Sequence, residues 1–477
     1  MIINVHTKDV LWNYAGVLFS FGSTLIFWPI MIHFMPTDLV GIWFIFSSIG
    51  GVVQLFDFGF NPTISHSVSY AWSGAADLKK EGAVFASENM GPNMPLVFGV
   101  MHACRYLYLR IAILAAIVML TFGTWYLNKV AYEYMLSEIY IAWLIYIVAV
   151  FLNLFIGYYS VVLLGIGDVY RQNKANITAK IIYVFLGCIG ILFGHGLLGI
   201  SIAFLVSGVL QRFLCKKYLI SFHGFRADKE NSEKSKYTVR NILDTMWHNA
   251  WRDGLVTATV YLTGQATVLI AGVFLSLSET GIYSMCMQVI NIIINIANGS
   301  LPALAPAMHS AYANKNKEMA RDLYKKAIGG FYALSILGVI GFIIFGVPII
   351  SWLKPDFIID RFQFLILAIS MLLLTRHRNS AWLISTMNTL PYTFAFIAYA
   401  ILSVIATYIG LSLFNLGIMG LICIPMIVES IYNNWHWNVA VNRYFGISEL
   451  DIVMTGVIES KEIIRKLYQK TFKRRSA

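Results

Sequence analysis

Apolar runs long enough to cross a bilayer follow one another along almost the whole chain, and this leaves few folds open to it. The runs fall at about 9–33, 38–70, 106–127, 138–164, 176–193, 197–219, 248–276, 281–310, 327–351, 362–388, 391–411 and 416–443. About 20 helical residues cross the hydrocarbon core of a membrane. Twelve such runs predict an all-α polytopic membrane protein with about 12 transmembrane helices. Several runs exceed that length and have to tilt, kink or protrude. Only 12% of the 477 residues are charged and the mean hydropathy is +0.69. A soluble domain carries about 25% charged residues. Aromatic residues make up 15%, which fits belts of Trp and Tyr at the two interfaces.

The net charge of +11 is not a nucleic-acid signature, because the cations sort by side. Even-numbered connections and both termini hold most of them, among them Lys79, Lys80, Arg171, Arg212, Lys325, Lys326 and the tail from Lys461 to Arg475. Odd-numbered connections hold Lys129, Lys354 and Arg361. The positive-inside rule then places both termini in the cytoplasm, in agreement with an even number of spans. The larger connections, 73–100, 221–247 and 445–477, all fall on that side, and each is shorter than a domain of about 50 residues. The tail repeats apolar residues at helical spacing before its basic cluster. It reads either as a surface helix near anionic lipid or as a solvated tail. The five cysteines are scattered and read as small buried hydrophobes. The first apolar run lacks an obvious cleavage site and reads as a retained span rather than a signal peptide. No nucleotide-binding loop, HExxH pair, CxxC pair or serine elbow is present. No catalytic set, cofactor or metal is expected.

An internal repeat organises the chain. Gly41-Ile42-Trp43 precedes Gly59 and Pro62, and Gly281-Ile282-Tyr283 precedes Gly299 and Pro302, each at an offset of 240 (281−41, 299−59, 302−62). A weaker echo pairs Leu198-Gly199-Ile200 with Leu416-Gly417-Ile418. The expected organisation is an N-terminal six-helix bundle at 1–220, a cytoplasmic linker at 221–247, a C-terminal six-helix bundle at 248–445 and a basic cytoplasmic tail at 446–477. Six is even, so the two bundles are related by an axis along the membrane normal. The Gly-Pro pairs break the helical hydrogen-bond ladder at equivalent places. Gly59, Pro62, Gly299 and Pro302 are therefore candidate hinges, or static packing kinks.

Charges inside the runs are the candidates for function. Asp57 would cost roughly 2.5–3.5 kcal/mol if it faced lipid, so it is expected to face a protein-lined or watery interior. Its counterpart at the repeat offset is Ala297, which makes the charge a speciality of the first half. Arg376-His377-Arg378 begins fourteen residues beyond Phe362, about 21 Å along a helix. Two arginines two positions apart point roughly 200° apart. One is expected to face the central space while the other pairs with a carboxylate or snorkels, unless the span already ends near 376. Arg252 and Asp253 lie in the first turns of span seven, and Glu429 lies inside span twelve. His66 and His309 occupy the cytoplasmic parts of the two repeat helices. The expected binding set for an anion is Arg376, Arg378, Arg252, His309 and His66, since arginine grips phosphate or carboxylate through its planar fork. Asp57, Glu429 and Asp253 would pair with these cations or carry a coupling ion.

The segments LWNYAGVLFSFGSTLIFWPIM and LVGIWFIFSSIGGVVQLFDFGFNP resemble the Wzx-like polysaccharide flippases of the multidrug/oligosaccharidyl-lipid/polysaccharide (MOP) exporter superfamily. The resemblance is strongest over 9–75, and LFDFGF is its most specific part. It implies two six-helix bundles around a central cavity in the bacterial inner membrane. It also implies a transporter rather than an enzyme, one that turns undecaprenyl-diphosphate-linked oligosaccharide from the cytoplasmic to the periplasmic leaflet by alternating access, for O-antigen or capsule-type polysaccharide. Partners implied are membrane lipids, the polymerase and glycosyltransferases of the same pathway, and a proton or sodium ion for coupling. Two features depart from relatives. No arginine lies within Leu11–Met31, where some lipid-linked sugar flippases carry them, and lipid II flippases usually have fourteen spans. The competing readings are a cation-coupled multidrug exporter of the same fold and a membrane polysaccharide polymerase or ligase. The latter tend to carry a large periplasmic loop, and the odd-numbered connections here are short.

Overall fold

A computed structural model describes residues 22, 26–57, 60–79, 83–85, 91–134, 137–221, 225, 237–299, 301, 304, 308, 316–385 and 391–473. Contacts group the chain into two compact units, Met1–Ser278 and Glu279–Ala477.

The first unit is helical over 26–34 and then contains α1 (Thr37–Val53), a 3-10 turn (Gln54–Asp57), α2 (Phe60–Trp72), a hairpin of β1 (Ala75–Leu78) and β2 (Ala83–Phe85), α3 (Met94–Val118), α4 (Thr124–Val130), α5 (Ser137–Phe155), α6 (Tyr158–Gly165), α7 (Val169–Leu192), α8 (Gly196–Ile220) and α9 (Val239–Phe274). Most of α1 is buried, as expected of a helix that is apolar all round. Its aromatic side chains pack with those of α5, where Phe46 meets Trp143 at 4.8 Å and Trp43 meets Tyr146 at 5.7 Å between ring centroids. Helices α7 and α8 form a tight hairpin. A Cβ added to Gly190 would lie 2.4 Å from the Cα of Gly199, so the two backbones meet only because neither residue has a side chain. Asn93 and Asp168 cap α3 and α7 through the amides of Leu96 and Arg171, satisfying donors that a helix start leaves free.

Helix α9 packs against α1, α2 and α3. The compact boundary is therefore at Ser278–Glu279, one helix later than the linker expected at 221–247.

The second unit contains α10 (Leu277–Ala297), which begins two residues before the boundary, α11 (Lys317–Gly341), α12 (Val347–Leu353), α13 (Arg361–Ser385), α14 (Thr393–Phe414), α15 (Gly417–Ile431), α16 (Asn433–Phe445) and α17 (Glu449–Lys473). Helices α14 and α16 end in left-handed residues, Asn415 at φ 49° and Gly446 at φ 67°, the usual stop for a helix. Tyr324, Ile328, Leu383, Phe445 and Ile452 share one buried core, so α17 is part of this unit's packing.

Among the described residues, eight helices are long and apolar enough to cross a membrane, or nine if α15 and α16, bent by 41°, form one span. Of the remaining expected spans, 9–33 falls largely outside the described residues. Helices α9 and α13 exist, but α9 has its apolar part at Thr263–Phe274 and α13 carries Arg361, Arg376 and Arg378.

Both units contain one helix pattern that composition did not reveal. Met94–Val118, a π-helical segment Met119–Gly123, and Thr124–Val130 correspond length for length to Lys317–Gly341, Phe342–Gly346 and Val347–Leu353. The offset is 223 (317−94), against 240 for the sequence repeat (281−41). The 17-residue difference (240−223) falls in the connection that includes the β1–β2 hairpin. Tyr237 donates to the carbonyl of Ala76 at 2.6 Å and Asn93 to that of Ala75 at 2.8 Å, which ties this insertion to α3 and to the residues before α9.

Candidate functional site

Helix α1 stops at Val53, and a 3-10 turn carries Asp57 at the break. The carboxylate is held from two directions. Tyr108 on α3 donates to Oδ1 at 2.5 Å, and the Asn61 side chain on α2 donates to Oδ2 at 2.8 Å. These bonds replace hydration that the group loses within an apolar bundle. Beside it lies a cavity of about 440 Å³ lined by Asp57, Asn61, Tyr108, Asn153, Ser160 and Arg212, with further walls from α6. Asp57 thus faces a protein-lined space.

Arg212 is the cation of this cavity. It lies sixteen residues into α8 (212−196). Its guanidinium donates to the carbonyls of Asn153 and Gly208, both at 3.3 Å, and to Gln211 Oε1 at 2.6 Å. All three acceptors are neutral, so its positive charge is solvated by dipoles rather than cancelled. The Oδ1 of Asn153 has no hydrogen-bond partner in the protein. The cavity therefore offers an uncancelled cation, a carboxylate, amides and hydroxyls within one span-lined pocket, a set suited to a ligand bearing hydroxyl or anionic groups. Sequence reasoning assigned Arg212 to the positive-inside bias and missed this position. Its sixteen-residue depth in the helix was the available signal.

The second unit holds its own polar cluster. Arg376 is 1% exposed and donates from all three of its nitrogens inside the protein. Nε donates to Tyr332 at 3.0 Å, Nη1 to Tyr324, Ser380 and Asn438 at 2.9, 2.6 and 3.1 Å, and Nη2 to Glu449 Oε1 at 2.6 Å. The partner that sequence reasoning left unnamed is Glu449, 73 residues away in the first turn of α17. Asn442 donates to the same carboxylate at 3.2 Å. These bonds join α13 to α11, α16 and α17.

The neighbouring His377 lies 3.1 Å from Glu429 through Nε2 and 3.2 Å from Asn434 Oδ1 through Nδ1. Asn434 donates to Ser430 at 3.0 Å, which turns its oxygen toward the ring. Nε2 and the Glu429 carboxylate face each other in a buried setting, with both residues almost wholly removed from solvent. Arg378 interacts electrostatically with Glu429 and Tyr399. Arg376 thus pairs with Glu449, while Arg378 feels the charge of Glu429.

His66 is exposed and stands outside the cavity lining. Gly299 lies in the turn that ends α10, its amide bonded to Ile296 at 3.2 Å, and Pro62 falls in the first turn of α2. Gly59, Pro302 and His309 lie outside the described residues, as do the side chains of Arg252 and Asp253, which sit on α9.

Comparison with known proteins bears on what this arrangement belongs to. Residues 168–353 match the family described as polysaccharide biosynthesis protein. A search of curated proteins returns no match. Among solved structures, an inward-facing multidrug resistance MATE family transporter of the MOP superfamily aligns at TM-score 0.67 and 14% identity, covering 92% of this chain and 95% of that one. The outward-facing conformation of a MATE family transporter of that superfamily aligns at 0.55 and 15%, covering 94% and 93%. A MOP superfamily transporter from Pyrococcus furiosus aligns at 0.54 and 13%, covering 94% and 98%. At such identities these likenesses speak for the fold, and the resemblance read from the N-terminal segments agrees with them. The chain is a multi-pass, all-α membrane protein with the fold of the MOP superfamily transporters, and its central segment matches the polysaccharide biosynthesis family.

Proposed function

We propose that this protein moves lipid-linked oligosaccharide, carried on undecaprenyl diphosphate, from the cytoplasmic to the periplasmic leaflet of a bacterial inner membrane. The observation that carries this reading is the match of residues 168–353 to polysaccharide biosynthesis proteins on a transporter fold. The Arg212 cavity adds chemical support, because its amides and hydroxyls suit sugar hydroxyls and its guanidinium suits a phosphate. In this reading access alternates between the two leaflets, Gly59, Pro62, Gly299 and Pro302 serve as hinges, and Asp57 or Glu429 carries the coupling proton or sodium ion.

The test is a cell lacking the protein. Lipid-linked repeat units should accumulate on the cytoplasmic side and surface polysaccharide should fall. Unchanged levels of both would overturn the proposal. A second reading, a cation-coupled multidrug exporter, draws support from the Asp57 carboxylate in the cavity. It requires drug sensitivity on deletion with normal surface polysaccharide.

A further inference from the structure

One face of helix α17 packs against the protein, and an apolar face opposite it does not. Ile452 is fully buried, and Gly456 meets Gly329 of α11 so closely that a Cβ on Gly456 would lie 2.2 Å from the Gly329 carbonyl oxygen. Glu449 lies 3.4 Å from the Tyr332 hydroxyl, and Glu459 pairs with Lys326 at 2.9 Å. These contacts, at 449, 452, 456 and 459, form one stripe at helical spacing. They also fix direction: α17 runs antiparallel to α11, from the level of Tyr332 to that of Lys326.

The opposite face is uncovered. Leu450, Met454 and Ile458 are 75%, 63% and 57% exposed, and Val453 and Val457 lie between them, also exposed. The spacing 450, 453, 454, 457, 458 is again that of a single helix face. Exposed Lys461 and Arg465 continue the same stripe one and two turns later.

Depth decides what covers this face. The apolar run of α11 is read as beginning at 327, so Tyr332 lies about 8 Å inside the hydrocarbon edge and Lys326 at that edge. The exposed leucine, methionine and isoleucine of α17 therefore lie at the boundary of acyl chains and headgroups. Lys461 and Arg465 lie at headgroup level, where long basic side chains lay their stems along lipid and place their charges among phosphates. Lys466, Lys470, Lys473, Arg474 and Arg475 follow in sequence. The charge bias of the connections assigns this side to the cytoplasm, where leaflets carry anionic lipid.

We propose that α17 is an interfacial docking helix. Its outward apolar face rests in the leaflet beside α11, its Lys461 and Arg465 bind anionic phospholipid headgroups, and its first turn is held to the bundle by Arg376.

The test uses the full-length protein with Cys188→Ser and Cys423→Ser, the two cysteines that are not fully buried. A spin label is placed at Met454→Cys, and the protein is put into nanodiscs of phosphatidylethanolamine alone or mixed with phosphatidylglycerol. The expected result is a label reached by oxygen and shielded from a water-soluble nickel chelate, more strongly so in the anionic discs. Lys461→Gln and Arg465→Gln should each lower the docked fraction about fivefold relative to undocked, from roughly 1 kcal/mol per basic residue at an anionic surface. A label equally open to the chelate in both discs would make α17 a solvated helix and overturn the proposal. Dipolar coupling between labels on two molecules would make the face a contact between copies of the chain and overturn it too. Shielding that ignores both lipid charge and the two substitutions would overturn the headgroup assignment.

Discussion

Arg376 and Arg212 sit in surroundings that sequence position does not announce. Arg376 sits mid-run and reads as a ligand-binding cation, and in the structure its guanidinium donates to five protein acceptors. Removing one partner of a buried pair leaves the other groups unsatisfied, at about 3–5 kcal/mol for fully buried pairs. Glu449 is 42% exposed, so solvent screening brings the cost below that range. Arg376→Ala should cost about 2–3 kcal/mol, seen as a lower melting temperature of the detergent-purified protein, and Arg376→Lys should recover part of it. Arg212 is surrounded by neutral acceptors and lines a cavity with Asp57. Arg212→Gln and Asp57→Asn should leave the fold intact by circular dichroism while lowering transport of lipid-linked oligosaccharide about tenfold each, the loss of one charge-assisted contact. Normal transport in both variants and in the double variant would remove this cavity from the mechanism.

At the scale of elements, α17 is the most instructive. Its start is a capping box in which the Ser448 amide and hydroxyl both donate to Asp451 Oδ2 at 2.8 Å, and the Asp451 amide donates back to Ser448 Oγ at 3.2 Å. The Gly329–Gly456 crossing makes a second demand. A Cβ on Gly329 would lie 2.6 Å from the Gly456 amide nitrogen, a backbone atom that cannot rotate away. Gly329→Leu should push α17 off α11 and speed tryptic cleavage at Lys461 and Arg465, with α11 itself remaining folded.

For the whole molecule, sidedness is the property to test. The charge bias predicts that a cysteine replacing exposed Asp356 is labelled from the periplasm and one replacing exposed Lys79 only after permeabilisation. The opposite pattern would invert the proposed direction of transport. Much of the architecture was legible because a bilayer enforces it: helices satisfy their own backbone in lipid, so apolar length along the chain declares a multi-pass helical protein. The matching Gly and Pro pairs announced a repeat. The offset of 223 between α3–α4 and α11–α12 was illegible, since it is carried by backbone pattern, including the two π-helical segments, rather than by residue identity. The site was half legible. Asp57 declared itself through the expense of a charge in an apolar run, a quantity local to the sequence. Its partners Tyr108 and Asn61, the conversion of Arg376 into a structural clasp with Glu449, and the placing of Arg212 in a cavity depend on which helix faces meet. Sequence by itself determined the solvent, the helices and the repeat, because those follow from hydropathy along one line of chain. Tertiary structure alone decided which charges are spent and which are available, because desolvation and pairing arise between residues far apart in sequence.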